Sequence, residues 1–274
     1  MSWIPPELRE NQGEIELAIK HNLPRLINMK DIKGDLHMHS NFPIEPSHDM
    51  GTDSMEDMLK RARELNYEYL AFSEHNPSTT NHTKNQIYSI LTKRKDKIEQ
   101  LNSSNKYIHI LNLLEIDILP SGDLAIDDTA FKYVDAAIVS VHSVFRTPRD
   151  QMTNRILKGL SHPKAKILAH PSGRKINQRE GYELDYEKIF DFCIKNNKAI
   201  EVNAYPDRLD LIDSIVFEAR KLGVKLVINT DSHNTGMMTN MFYGVSVARR
   251  GWCEAKDVLN TRPYGEFYKW LTAR

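Results

Sequence analysis

The feature that most constrains the fold of this chain is a series of short apolar runs that each end in a side chain able to bind a metal. The first run carries two imidazoles, the last carries a carboxylate and an imidazole, and four runs between them carry one ligand each. These side chains are His37, His39, His75, Glu115, His142, His170, Asp231 and His233. Buried parallel strands read as continuous apolar runs. Ligands at equivalent ends of such strands would meet at one rim, so the series predicts a single shared site.

Apolar, β-branched runs alternate with amphipathic helical patterns from residue 34 onward. We predict strands near 35–39, 69–75, 109–118, 134–142, 166–170, 199–204 and 225–231, with helices at 54–66, 86–101, 185–196 and 211–222. Ser54 and Asp57 resemble a capping box at the start of the first of these helices. Strand–helix alternation predicts an α/β fold of parallel strands with right-handed crossovers. Ligands on nearly every strand favour a (β/α) barrel over an open doubly wound sheet, whose ligands would gather at one crevice.

The length of 274 residues predicts one large domain. We expect residues 1–33 to be a polar, linker-like lead-in and residues 34–274 to form the catalytic domain. Lys plus Arg and Asp plus Glu both total 37, so the formal charge is zero. A global positive field that would attract nucleic acid is therefore excluded, and any such binding needs a local patch.

Several classes of protein lack support in the sequence. No apolar run approaches the roughly 18 residues of a membrane span. The first residues lack the basic and apolar regions of a signal peptide, so we expect a cytoplasmic protein without a membrane partner. The Gly-rich phosphate loops GxxxxGK[ST] and GxGxxG are missing, which argues against a nucleotide cofactor.

The residue types of the series indicate which metals fit. The side-chain period of two along a strand places His37 and His39 on one face, and Asp231 and His233 likewise. Imidazole nitrogens combined with carboxylate oxygens suit Zn, Mn or Fe, whereas an all-oxygen set would favour Mg or Ca. The sequence therefore predicts a transition-metal site.

The ligand pattern resembles that of the PHP (polymerase and histidinol phosphatase) superfamily. Nearly the whole chain is similar to the C-terminal PHP domain of bacterial family X DNA polymerases. The stretches that carry this closer resemblance are Trp3–Arg9, His170–Arg174, Asn203–Asp210 and Tyr243–Trp252. No polymerase domain precedes them, so the chain is expected to be a PHP module standing alone, with a separate polymerase as a candidate partner.

The resemblance implies a distorted seven-stranded (β/α)7 barrel that holds three divalent metal ions, usually manganese. The implied ligands are the eight side chains named above and one acidic residue in the loop after His39. The family's Ser-Asp-Gly segment is replaced here by a longer loop over residues 45–51. We take Asp49 as the ninth ligand and His48 as its alternative. Glu115 is expected to bridge two ions.

The implied activity is hydrolysis of phosphoesters by a hydroxide that several metal ions activate. Nucleic-acid 3′ ends are the first expected substrate, through 3′–5′ exonuclease or 3′-phosphatase activity in DNA repair. A small phosphomonoester such as histidinol phosphate is the second expected substrate. The third hypothesis is a metal-binding module without activity.

Two further sets of residues are predicted for the reaction. We assign Glu115, Asp231, Arg174 and Arg208 as catalytic. We expect Arg174 and Arg208 also to clamp a phosphate in two-point fashion, with Asn203 and Arg179 as additional substrate contacts. Glu74 adjoins His75 but points to the opposite strand face, which favours a supporting role.

Overall fold

Seven parallel strands lie side by side in chain order at the centre of the molecule. The computed structural model describes residues 1–273. The strands are β1 (Gly34–Asp35), β2 (Tyr69–Phe72), β3 (His109–Asp117), β4 (Ala136–Ser140), β5 (Ala165–Leu168), β6 (Ala199–Asn203) and β7 (Lys225–Asn229). Each strand pairs in parallel with the next. All seven predicted strands are therefore present.

The segments that follow β1 and β7 meet and bring the sheet close to a full barrel. Met38 and Ser232 form a parallel bridge, and the His39 N–H donates to the Ser232 carbonyl at 2.8 Å. The edges of an open doubly wound sheet would stay apart, so the predicted (β/α)7 barrel is confirmed. β1 is only two residues long because the next N–H groups donate to side chains: Leu36 to Asn229 Oδ1 and Met38 to Ser73 Oγ.

Eight α-helices accompany the strands in the described part of the chain. They are α1 (Glu14–Ile19), α2 (Met55–Glu64), α3 (Lys84–Ser104), α4 (Arg149–Leu160), α5 (Tyr186–Lys195), α6 (Asp213–Leu222), α7 (Met241–Arg250) and α8 (Tyr264–Thr272). The predicted cap of α2 is present, because the Asp57 N–H donates to Ser54 Oγ at 3.1 Å. None of these helices has the length and apolar character that crossing a membrane requires.

Alternate residues along each strand pack into two separate layers. In β2, Tyr69 and Ala71 join an inner cluster inside the barrel, whereas Leu70 and Phe72 join the outer cluster beneath the surrounding helices. The inner cluster also contains Phe267 of α8, whose ring stacks on Tyr69 at 4.9 Å. The barrel interior is thus a packed core, with α8 covering the amino ends of the first strands.

The lead-in of residues 1–33 packs against the barrel near α7. Leu8 and Leu26 form a small buried cluster with Trp252. The Ile27 N–H donates to the Cys253 carbonyl at 2.9 Å, and Arg249 Nε donates to Glu7 Oε1 at 2.8 Å. These contacts hold the lead-in in one place on the domain.

A buried ion pair joins the segment after β2 to α3. Arg94 is 1% exposed, and its Nε donates to Glu74 Oε2 at 2.6 Å while its Nη2 donates to the Phe72 carbonyl at 2.7 Å. The other oxygen of Glu74 accepts from the backbone and hydroxyl of Ser40. Glu74 therefore braces the chain beside the adjoining ligand His75, as its predicted supporting role requires.

Replacing Arg94 tests this brace. We expect Arg94→Met to lower the free energy of unfolding by about 3–5 kcal/mol, because it leaves the Glu74 carboxylate buried without its partner. The double variant Glu74→Gln/Arg94→Met should lose less than Arg94→Met alone. Urea unfolding measures both, and exposed Lys93→Ala on the same helix should stay within about 0.5 kcal/mol of wild type. Equal losses in the single and double variants would contradict a charge-pair role.

Candidate metal centre

The carboxylate of Glu115 lies at the middle of the predicted ligands. It is fully buried near the end of β3. Its Oε2 lies 3.0 Å from His37 Nε2 and 3.1 Å from His75 Nδ1. Its Oε1 lies 2.9 Å from His170 Nε2 and 3.4 Å from His142 Nε2. Two oxygens that each face different imidazoles are what a carboxylate shared between ions requires.

A second carboxylate, Asp231, faces the first pair of imidazoles. Its Oδ1 lies 3.5 Å from His37 Nε2 and 3.3 Å from His39 Nε2. Asp231 and His170 both have positive φ angles, 54° and 26°, which non-glycine residues rarely adopt. Strained backbone of this kind is characteristic of functional sites, where the surrounding structure compensates for its cost.

The loop after His39 brings both candidate ninth ligands to the site. Asp49 lies with Oδ1 3.5 Å from His75 Nε2 and with Oδ2 3.3 Å from His233 Nε2. His48 instead directs Nε2 to Asp117 Oδ2 at 2.8 Å. The loop runs close to the first strand segment, since a Cβ on Gly51 would overlap the His39 carbonyl. Asp49, whose side chain is 76% exposed, faces His75 and His233, whereas His48 forms a three-ligand group with Asp117 and the predicted ligand His142, so both candidates remain.

Two carboxylates of the site were missed by the sequence reasoning. Asp117 ends β3 and accepts from His142 Nδ1 at 2.6 Å. Glu201 lies buried in β6, where it contacts His37 Nδ1 at 2.8 Å and accepts from the His170 N–H at 2.8 Å. Carboxylates that bind the second nitrogen of a ligating imidazole fix its orientation. Asp117 could have been predicted, because it lies two residues beyond Glu115 and alternate residues of a strand share one face.

The donor set fits more than one divalent ion. Within residues 1–273, groups of three ligand atoms lie within 4.8 Å of one another in five overlapping combinations. Several imidazole nitrogens of these groups are buried without a hydrogen-bond partner, among them both nitrogens of His39 and Nε2 of His233. Unpaired buried polar atoms are costly, and bound ions would satisfy them. The clustering therefore indicates a multinuclear divalent metal site.

For Glu115 and His39, the electrostatics of the cluster favour the ligand form that binds a metal, whereas the neighbouring carboxylates raise the pKa of His37 and of His75. Burial alone would raise the pKa of Glu115, but His37, His75 and His142 outweigh it and hold that pKa well below its usual range. Burial lowers the pKa of His39 to about 3, and the neighbouring His75 acts in the same direction. An ionised carboxylate and a neutral imidazole are the states that coordinate a divalent ion.

A pocket of about 370 Å³ opens above this cluster, and two of the predicted arginines line it. Arg208 lies with Nε 3.5 Å from Asp231 Oδ2, and this nitrogen has no hydrogen-bond partner within residues 1–273. Arg179 donates from Nε to the Gly173 carbonyl at 2.9 Å, and its guanidinium lies 3.8 Å from the centroid of the Phe145 ring. Both guanidinium groups are held at the pocket wall.

The other two predicted substrate contacts lie elsewhere. Arg174 donates to the carbonyls of Arg208 and Leu209, each at 2.6 Å, so its guanidinium is committed to supporting the Arg208 loop. Asn203 is buried and donates to Glu201 Oε2 at 3.0 Å and to Asp231 Oδ2 at 3.2 Å. Neither side chain lines the pocket. We therefore correct both assignments, from substrate contact to orientation of the residues that form the site.

The comparisons agree with this geometry. The model of the PHP domain family matches residues 35–205. The chain belongs to the PHP family. The DNA polymerase/3′-5′ exonuclease PolX of Bacillus subtilis is 39% identical over 260 residues, which are 94% of this chain and 44% of the polymerase. A probable phosphatase of Clostridium acetobutylicum is 27% identical over 208 residues, covering 73% of this chain and 78% of that protein.

Family membership confirms the predicted resemblance and the expectation of a metal-dependent hydrolase. This chain spans less than half the length of the Bacillus polymerase. The structure of Aspergillus niger ochratoxinase, with a TM-score of 0.39 and 9% identity over 85% of this chain and 72% of that one, is too distant to bear on function.

Removing the metal should destabilise the protein. Each ion bound only by the folded state adds about 2.7 kcal/mol at a hundredfold excess over its dissociation constant, so a chelator should lower the melting temperature. His39→Ala should lose at least one ion per chain by elemental analysis and should respond less to the chelator. His21→Ala, an exposed histidine of the lead-in, is the matched control. An unchanged metal content in His39→Ala would refute its role as a ligand.

Proposed function

We propose that this chain is a phosphoesterase that acts on the 3′ ends of nucleic acids and uses manganese ions. The observation that supports it best is the composition of the pocket above Glu115. The ligand cluster lines one side, and three cationic side chains, Lys175, Arg179 and Arg208, line another. A phosphoester bound there would have its phosphorus beside the ions and its free oxygens beside guanidinium groups.

The side chains of the pocket have separable tasks. Bound ions supply water activation near neutral pH and neutralise charge on the reacting oxygens. Glu115 and Asp231 hold those ions, and we therefore propose both as catalytic. Arg208 forms an ion pair with Asp231 and lines the pocket, which suits its guanidinium to hydrogen-bond a phosphate oxygen. Arg174 acts indirectly: it donates hydrogen bonds to the carbonyls of the Arg208 loop and so positions Arg208.

An aromatic side chain in the lining favours a nucleic-acid substrate over a bare phosphate ester. Tyr205 lines the pocket, and aromatic rings stack on bases without regard to sequence. Lys175 and Arg179 lie in the same lining and would bind a neighbouring phosphate of a strand. The chain has zero net charge, so this local patch supplies the cations that its global composition does not.

The Bacillus relative, named as a polymerase and 3′–5′ exonuclease, supports the same substrate class. We propose a polymerase as the partner that places DNA in a repair reaction, because the Bacillus relative is named as a polymerase.

A small phosphomonoester is the second candidate substrate. The pocket volume of about 370 Å³ suits a compact molecule, and the Clostridium relative is named as a probable phosphatase. A metal-binding module without activity is less well supported, because part of the ligand cluster lines an open pocket together with cationic side chains.

Arg208 provides the first test of the reaction. Arg208→Ala should lower kcat/KM at least tenfold on every phosphoester, because it removes the charge-assisted hydrogen bonds to the phosphate. Arg208→Lys should recover part of the loss, since it restores the charge without the planar fork. Exposed Arg25→Ala in the lead-in should behave as wild type. Full activity of Arg208→Ala in manganese buffer would remove Arg208 from the site.

The substrate class is decided by a direct comparison. Manganese-loaded protein is given a 5′-labelled oligonucleotide, the same strand with a 3′-phosphate, and histidinol phosphate. Tyr205→Ala and Lys175→Ala should lower oligonucleotide turnover several-fold and leave histidinol phosphate turnover within twofold of wild type. Turnover of histidinol phosphate alone would establish the second candidate instead. No metal-dependent turnover of any substrate would favour the non-catalytic module.

A further inference from the structure

A second and larger cavity, of about 870 Å³, lies at the other end of the barrel. It opens between α3, the amino ends of β3 to β5 and the last turns of α8. The metal ligands lie at the carboxyl ends of the same strands. The linings of this cavity and of the pocket above Glu115 have no residue in common, so the two can be tested independently.

The walls of this cavity carry lysines without acidic partners. Lys132, Lys164 and Lys166 line it, and within residues 1–273 no carboxylate forms an ion pair with any of the three. Lys164 Nζ donates to the carbonyls of Phe131 and Val134, each at 2.7 Å. Lys166 is 5% exposed, and its Nζ donates to the Ala273 carbonyl. Ammonium groups that face a cavity without counter-charges are suited to an anionic ligand.

The remaining charges of the lining leave this excess in place. Lys95 is paired with Glu99 at 3.6 Å on the same helix. The Asp135 carboxylate accepts from the Asn112 N–H at 2.9 Å. Among residues 1–273, four lysines and two carboxylates line the cavity. A phosphate group, which is negatively charged near neutral pH, suits a lining in which lysines outnumber carboxylates.

One wall of the cavity is aromatic. Tyr264 of α8 stacks on His109 with the ring centroids 3.7 Å apart and the planes 8° from parallel. Tyr268, one turn further along the helix, stacks on Tyr264 at 5.4 Å and is 39% exposed. Tyr133 lines the opposite part of the cavity, below the ammonium of Lys132 at 4.9 Å. Flat, partly exposed rings of this kind bind the faces of planar ligands.

We propose that this cavity binds a mononucleotide. Its phosphate would lie among Lys132, Lys164 and Lys166, and its base would stack against the partly exposed ring of Tyr268. The volume is within the range of small-molecule sites, which is about 300–1,000 Å³. The site would require no metal, because the ammonium groups of its lining can themselves bind a phosphate. The opposite rim instead carries imidazoles and carboxylates, which bind metal ions.

The proposal is tested by titrating the chelator-treated protein with deoxyadenosine monophosphate and measuring the heat of binding by calorimetry. All variants are made in the Arg208→Ala protein. Binding at the metal rim is then weakened both by the chelator and by the loss of Arg208. We expect one saturable site. Lys132→Glu should weaken it at least tenfold by reversing an exposed charge without disturbing packing, and Tyr268→Ala should weaken it several-fold. Exposed Lys93→Ala, on α3 outside the cavity, should bind as wild type.

The alternative outcomes are distinct. Unchanged affinity in Lys132→Glu would overturn the proposal even if Lys166→Met, which alters a buried group, fails to fold. Equal affinities for inorganic phosphate and the nucleotide would show that the aromatic wall does not contribute to binding. That result would overturn the proposal of a nucleotide ligand. Loss of all binding in chelator and Arg208→Ala would assign the nucleotide to the metal rim alone. Hydrolysis by Lys132→Glu should match wild type, because the metal centre is intact.

Discussion

The position of one carboxylate, Glu115, determines how the rest of the metal rim is built. A fully buried carboxylate is expensive to desolvate unless opposite charge or bound metal compensates. Four strands deliver imidazoles to within 3.4 Å of its two oxygens. Those strands end at one level around the barrel, so neither oxygen is left without a partner. The arrangement would couple folding to metal binding, because the ligating side chains come together only in the folded chain.

Behind the ligands, a layer of polar residues fixes their directions. Glu201 binds the second nitrogen of His37 and is itself held by the amides of Asn203 and Asn229. On the other side of the rim, the Asp117 carboxylate holds His142. Such partners restrain the rings before an ion arrives, which raises affinity by lowering the ordering cost. β6 supplies no predicted ligand, yet its Glu201 and Asn203 orient ligands that come from its neighbours.

The sequence predicted the barrel and the ligand set because both depend on short-range patterns. Apolar runs mark strands, and a period of two places His37 and His39 on one face. Glu201 was not predicted, because the sequence around a single acidic residue in a buried strand does not indicate which side chains it contacts. Arg174 was placed in the pocket because it follows a strand end, but the direction of a loop side chain is set by hydrogen-bond acceptors distant in sequence. Here those acceptors are the carbonyls of Arg208 and Leu209.

The two ends of the barrel differ in how they can bind phosphate, and the difference follows from strand direction. At the carboxyl rim, ligands converge on buried carboxylates, so phosphate binding there would depend on metal ions and on arginines such as Arg208. At the amino end, α8 covers the barrel, and the unpaired cations of the second cavity, Lys164 and Lys166, lie on or beside the start of β5. Phosphate binding at that end would be independent of metal. Chelation therefore separates the two sites chemically, whereas salt, which screens both sets of cations, would weaken them together.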